Sequence, residues 1–257
     1  MKKGIIVTSF GTTYEETRKL CIESIENRIT EEFSDCVVSR AFTSRMVINK
    51  LKKRDNYFVD TPTEALERMK DKGVNNIYIQ PLLIIEGLEY EKILREARDF
   101  IKENNKYSVT VGRPLLSSDL DYEKVVDALA LDNRNEAIVF MGHGSTHEMD
   151  ISYERLERIT HEKGYDNIFF ATVEGKRTID DVVEALITKK INKVLLTPFM
   201  LVAGDHATND MASSDEDSWK NIVERNGVEV TLKIEGLGQR KLIQDIFIDH
   251  LKDTLAD

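Results

Sequence analysis

The sequence predicts an α/β chain of two similar domains, each a mainly parallel sheet flanked by helices. Three observations carry this. Runs rich in Val and Ile alternate along the 257 residues with stretches of helical period, the pattern of parallel strands covered by helices. Residues 61–87, TPTEALERMKDKGVNNIYIQPLLIIEG, match residues 178–204, TIDDVVEALITKKINKVLLTPFMLVAG, without a gap at an offset of 117. The two halves also open alike, TSFGTT from Thr8 lying over MGHGST from Met141 so that Gly11 falls on Gly144.

In chain order, the strands of the first half are GIIVTSF (4–10), DCVVSRAF (35–42), NNIYIQPLLI (75–84) and YSVTVG (107–112). Those of the second are AIVFMGH (137–143), NIFFATVE (167–174), NKVLLTPFMLV (192–202) and GVEVTLKIE (227–235). MKKGIIVTSFG imitates the start of a signal peptide, but its apolar stretch is short and TTYEETRK follows, so it reads as the first strand. Within the repeat, Thr61 meets Thr178, Glu67 meets Glu184, Asn75 meets Asn192, Pro81 meets Pro198 and Gly87 meets Gly204. The expected division is 1–125 for the first domain and 126–257 for the second.

Composition narrows the function classes. With 41% hydrophobic and 32% charged residues the whole chain should fold as a globule. A formal net charge of -10 argues against nucleic acid as a partner, since phosphate binding needs a basic face, and no stretch reads as a membrane span. Cys21 and Cys36 have no CxxC spacing, which suits a reducing cytoplasm and speaks against a thiolate zinc site.

In open parallel sheets ligands bind outside the carboxyl ends of the strands. The loops to search therefore follow Phe10, Phe42, Ile85, His143, Val173 and Val202, and two such edges facing each other would form a cleft. Gly142-His143-Gly144 is the turn at the end of the fifth strand, with Ser145 and Thr146 expected to cap the next helix and His147 expected within it. Gly204-Asp205-His206 ends the seventh strand, and Glu174 ends the sixth. Taken singly, a loop histidine or glutamate is ordinary polar surface. Placed together at three strand ends, two imidazoles and a carboxylate suit a borderline divalent transition metal with open positions left for another ligand. His161 and His250 lie in charged helical stretches and read as surface residues.

The first domain offers Glu86 and Glu89 in the loop matching His206, Glu89 lying 117 residues before it; the same acids would also suit the positive end of a helix. Phe10, matching His143, is apolar and could floor a flat ligand. Ser9, Thr12 and Thr13 form a turn that could hold an anion at a helix start. Other signatures are missing. HExxH fails because residue 151 is Ile151, no Walker A sequence occurs, GLGQRK departs from GxGxxG at its last place, and no GxSxG elbow is present.

RAFTSRM, DTPTEAL, EYEKI, VFMGHGS, TPFMLVAGDHATNDMASSDEDSWK and GLG resemble the anaerobic-type sirohydrochlorin cobaltochelatases of cobalamin biosynthesis, with the ferrochelatases as weaker relatives. The resemblance spans almost the whole chain. It implies a class II chelatase fold, two Rossmann-like domains enclosing a tetrapyrrole cleft, with no nucleotide driving insertion. It further implies His143, Glu174 and His206 as metal ligands and Glu89 as an acidic active-site residue. No tightly bound cofactor is expected; divalent cobalt is the substrate metal, and iron would suit the same ligands. The missing export signal favours the cytoplasmic, biosynthetic form, and an assembly of identical subunits is compatible with the acidic helices.

Metal insertion strips the ion of water and removes two pyrrolic protons. An incomplete histidine and carboxylate shell lets ring nitrogens replace protein ligands one by one, which four thiolates would resist. Imidazole changes charge near neutral pH, so His143 is assigned as the base and Glu89 as helper or proton outlet. The anionic macrocycle needs donors for its carboxylates, with Arg45, Lys176, Arg177, Ser9, Thr12, Thr13, Ser145 and Thr146 as candidates. Three rivals stand beside this reading: a non-enzymatic tetrapyrrole or metal carrier, iron insertion to give sirohaem, and a metal-dependent hydrolase with a small polar pocket.

Overall fold

The computed structural model describes residues 2–131 and 136–256. Eight strands form two sheets of four, all pairings parallel. β1 (Lys3–Ser9), β2 (Val37–Phe42), β3 (Asn76–Pro81) and β4 (Ser108–Val111) lie in the order β2-β1-β3-β4. β5 (Ala137–Gly142), β6 (Ile168–Thr172), β7 (Lys193–Pro198) and β8 (Glu229–Leu232) repeat that order as β6-β5-β7-β8.

The strands read as continuous apolar runs because helices cover both faces. All six residues of β5 are buried. One face of the second sheet buries Val139, Met141, Phe169, Ala171, Val194 and Leu196 against the helices Ile179–Thr188 and Trp219–Arg225. The other carries Phe140, Phe170 and Phe199, whose rings stack or meet edge to face. In the first sheet, Ile6, Ala41, Ile77 and Ile79 pack on Ala65, Leu66 and Met69 and on Ile93, Ala97 and Phe100.

The internal repeat is carried into hydrogen bonds. Ser108 N–H donates to Asn75 C=O and Glu229 N–H to Asn192 C=O, both at 2.9 Å. Thr61 and Thr178 each begin a helix by donating their backbone N–H to a carboxylate three residues on, Glu64 or Asp181, at 2.8 Å. Gly11 and Gly144 both take positive φ, 92° and 78°, a conformation that only glycine adopts without strain. At the strand ends Ser44 N–H donates to Phe10 C=O, and Glu174 N–H to His143 C=O. In the repeat Phe10 therefore corresponds to His143 and Ser44 to Glu174, and at the offset of 117 Glu89 corresponds to His206.

Two expectations are corrected. The chain divides into residues 1–117 with 241–257, and residues 118–240, in place of 1–125 and 126–257. The helix Asp119–Ala128 opens the second unit, and the last helix, Lys241–Ala256, returns to the first. There it buries Ile243, Ile246, Phe247 and Leu251, and its Asp253 accepts from Arg113 at 2.8 Å while Lys252 pairs with Glu32 at 2.7 Å. His250 belongs to that buried stripe and is 0% exposed, so it is a core residue of the first unit. His161 is half-buried, with Nε2 at 2.9 Å from Ile168 C=O. Among the described residues no helix is long and apolar enough to cross a membrane.

Candidate metal centre

β6, β5 and β7 are neighbours in the second sheet and run in the same direction, so the residues just past their carboxyl ends come together. His143 follows β5 directly. Glu174 lies two residues past β6, and His206 ends the longer excursion that leaves β7 at Pro198 and leads into the π-turn Ala207–Met211. The three donors fall within 4.8 Å of one another. The two imidazole rings stand 4.8 Å apart at 88°. Side-chain exposures of 45%, 60% and 31% for His143, Glu174 and His206 leave the group open to solvent.

Both rings have one nitrogen committed. His206 Nδ1 lies 2.5 Å from the carboxylate of Asp210, one turn on. His143 Nδ1 lies 3.0 Å from Gly144 C=O. Carboxylate and carbonyl oxygens only accept, so in the neutral form of each ring Nδ1 is the donor and Nε2 the atom left with a lone pair; His143 Nδ1 also lies 3.9 Å from the Glu174 carboxylate. This is how protein metal sites fix the tautomer and aim of a ligating imidazole. Behind the His143 turn, burial pushes the Tyr153 phenol up to about 12, so it stays neutral there.

The remaining assigned residues sit as follows. Ser145, expected to cap the next helix with Thr146, instead accepts from His147 N–H at 3.0 Å. The cap is His147, whose Nδ1 accepts from Met149 N–H at 3.2 Å to start the short turn Glu148–Asp150, so His147 precedes the helix instead of lying in it. In the first unit Ser9 and Thr12 are buried at the end of β1, Thr13 is half-buried, and Phe10 is 44% exposed. Arg45 is exposed and opens the helix Arg45–Asp55. Glu86 precedes and Glu89 lies within the first turn of the helix Leu88–Glu103, with Lys92 Nζ 3.9 Å from the Glu89 carboxylate. None of these first-unit residues belongs to the donor cluster.

Arg177 does not fit the role of a free carboxylate donor. Its guanidinium lies 2.6 Å from Glu157, whose other oxygen accepts Phe170 N–H at 2.7 Å in the interior of the second unit. Removing the cation would strand a buried carboxylate. Arg177→Ala should therefore lower the unfolding free energy by about 3 kcal/mol in a denaturant titration, and a loss under about 1 kcal/mol would show the pair to be solvent-screened.

Asp210 escaped the sequence reading. Its signal was the spacing in HATND, which sets a carboxylate four residues after a histidine at a helical turn.

A cobalt chelatase (CbiK) family model matches residues 3–256. The chain belongs to this family. It is 39% identical over 259 residues to the sirohydrochlorin cobaltochelatase of Salmonella typhimurium, covering 99% of this chain and 97% of that one. To the sirohydrochlorin cobaltochelatase CbiKC of Nitratidesulfovibrio vulgaris it is 31% identical over 260 residues, covering 99% of this chain and 91% of the relative. Among solved structures it is similar in fold to SirB from Bacillus subtilis with Fe3+, at a TM-score of 0.65 and 15% identity, covering 100% and 96% of the two chains. The siroheme biosynthesis enzyme CbiX is similar at a TM-score of 0.55 and 13% identity, covering 97% and 98%. The chelatase fold expected from the sequence, two units each with a parallel sheet flanked by helices, is the fold observed.

Proposed function

We propose that this chain inserts divalent cobalt into sirohydrochlorin, exchanging the ion for the two pyrrolic protons, with no nucleotide consumed. The observation that carries the reading is the convergence of His143, Glu174 and His206 in a protein of the cobalt chelatase family. The two full-length relatives, which bear the name sirohydrochlorin cobaltochelatase, support the choice of substrate and metal. The donor set alone does not separate cobalt from iron, since imidazole and carboxylate accept both.

In this reading His143 Nε2, His206 Nε2 and a Glu174 oxygen hold cobalt as cargo. Three ligands leave coordination positions open, so ring nitrogens can enter before protein donors leave. The exposure of all three side chains suits an ion that must arrive and depart. As a ring nitrogen displaces His143, the freed Nε2 lone pair becomes able to accept a pyrrolic proton. Glu89 is assigned as the helper that passes protons to solvent. Ser9, Phe10, Thr12, Thr13, Arg45, Glu86 and Ser145 are assigned to the macrocycle and its carboxylates.

The test is to mix the purified chain with excess sirohydrochlorin and divalent cobalt and follow the absorbance of the macrocycle. Many equivalents of cobalt-sirohydrochlorin per protein are expected. A change that stops at one equivalent would make the chain a carrier and overturn the reading.

A further inference from the structure

Two of the three donors stand on turns, not on strands. Sheet-like pairing between them ends at Glu174 N–H, which donates to His143 C=O at 2.8 Å. Past that point one buried carboxylate joins the turns. Asp150 is 5% exposed. Its Oδ1 accepts from Ser145 N–H at 3.0 Å and its Oδ2 from Lys176 N–H at 2.8 Å. Those amides lie two residues beyond His143 and two beyond Glu174.

Three further observations single out this carboxylate. Asp150 occupies the N-cap of the helix Ile151–Glu162, yet its side chain makes no cap bond there. Its acceptors are spent on the two turns instead. The turns are also shaped to admit it: a side chain on Gly175 would collide with both Asp150 oxygens, and one on Gly144 would collide with Gly175 N. Finally, the first unit lacks the device along with the donors. Phe10 and Ser44 stand where His143 and Glu174 stand, and the residue 133 before Asp150, the spacing that relates Phe10 to His143, is Thr17.

We propose that Asp150 is a positioning residue of the metal site. It fixes the spacing of the His143 and Glu174 donors by holding both turns, and it never touches the ion. The proposal rests on the assignment of His143, Glu174 and His206 as cobalt ligands. Charge-assisted bonds from a buried carboxylate to backbone amides are short and strong. An Asn in its place keeps one acceptor oxygen and turns an NH2 group toward the other amide, so one turn is released.

The experiment titrates the full chain with cobalt(II) alone, reading affinity by calorimetry and coordination by the visible ligand-field bands at saturation. Asp150→Asn should weaken cobalt binding 10- to 100-fold, the range for lost outer-sphere partners, and should shift the saturated spectrum. Gly175→Ala displaces the carboxylate without removing it and should move both readouts the same way, which keeps the test informative if Asp150→Asn folds poorly. Val223→Ala, a cavity in the core of the same unit, should lower stability and leave the spectrum unchanged. Wild-type affinity and spectrum in both Asp150→Asn and Gly175→Ala would overturn the proposal. So would a Val223→Ala spectrum altered as much as theirs. Equal cobalt binding by wild type and His206→Ala would instead show that the ligand assignment itself is wrong, so the two failures read differently.

Discussion

His206→Ala should abolish cobalt insertion, with turnover down more than about 100-fold, beyond the usual cost of losing an outer-sphere partner of a metal ligand. His143→Ala should do the same, since it removes an assigned ligand and the assigned proton acceptor together. Both side chains are partly exposed at the end of the sheet, so truncation should leave the unfolding free energy within about 0.5 kcal/mol of wild type. Glu174→Ala should mainly raise the cobalt concentration needed for half-maximal rate, because two imidazoles remain to hold the ion. Steady-state assays against cobalt concentration check all three variants. Near-normal turnover in either histidine variant would remove that residue from the chemistry.

The second large effect is expected beneath the site. Phe140 on β5, Phe170 on β6 and Phe199 just past β7 come one from each donor-bearing segment, all buried. Phe170 stacks on Phe140 at 4.9 Å and 20° and meets Phe199 edge to face at 5.2 Å. Phe170→Ala should cost about 3–5 kcal/mol, the range for emptying a well-packed aromatic site, against a total stability of roughly 5–15 kcal/mol. Denaturant unfolding measures it, and a loss below about 1 kcal/mol would mean the neighbouring rings close the gap. Cobalt at about 100 times its dissociation constant should return about 2.7 kcal/mol to the variant, because it binds only folded protein. The same addition should give little in a Phe170→Ala, His206→Ala double variant.

The eight strands were legible because each is a nearly continuous apolar run, as AIVFMG in β5 shows. Their ends were less so. NKVLLTPFMLV reads as one strand, but β7 stops at Pro198, and Phe199 N–H makes the final bond to β5, at Met141 C=O, at 2.7 Å. NIFFATVE likewise overruns β6, leaving Glu174 in a turn. That overrun did not hide the donors, since a residue at or just past a strand end reaches the same edge. The last helix shows the opposite case. Its buried positions include Ile243, Ile246, Phe247, His250, Leu251 and Thr254, a helical period that places His250 on the apolar face despite charged neighbours, with Gln244 and Ile248 buried beside it. Which unit that face covers is a tertiary fact with no local signature. Asp150 escaped for the same reason. Its partners are the amides of residues 145 and 176, and no spacing rule ties an acid to backbone groups that far apart.

His143, Glu174 and His206 are proposed to share one exchangeable ion. Crystals of the chain soaked in cobalt and measured at the cobalt absorption edge decide whether they do. An anomalous peak is expected about 2.0–2.2 Å from both Nε2 atoms and a Glu174 oxygen. A peak bound elsewhere, or one touching only a single member of the trio, would contradict it.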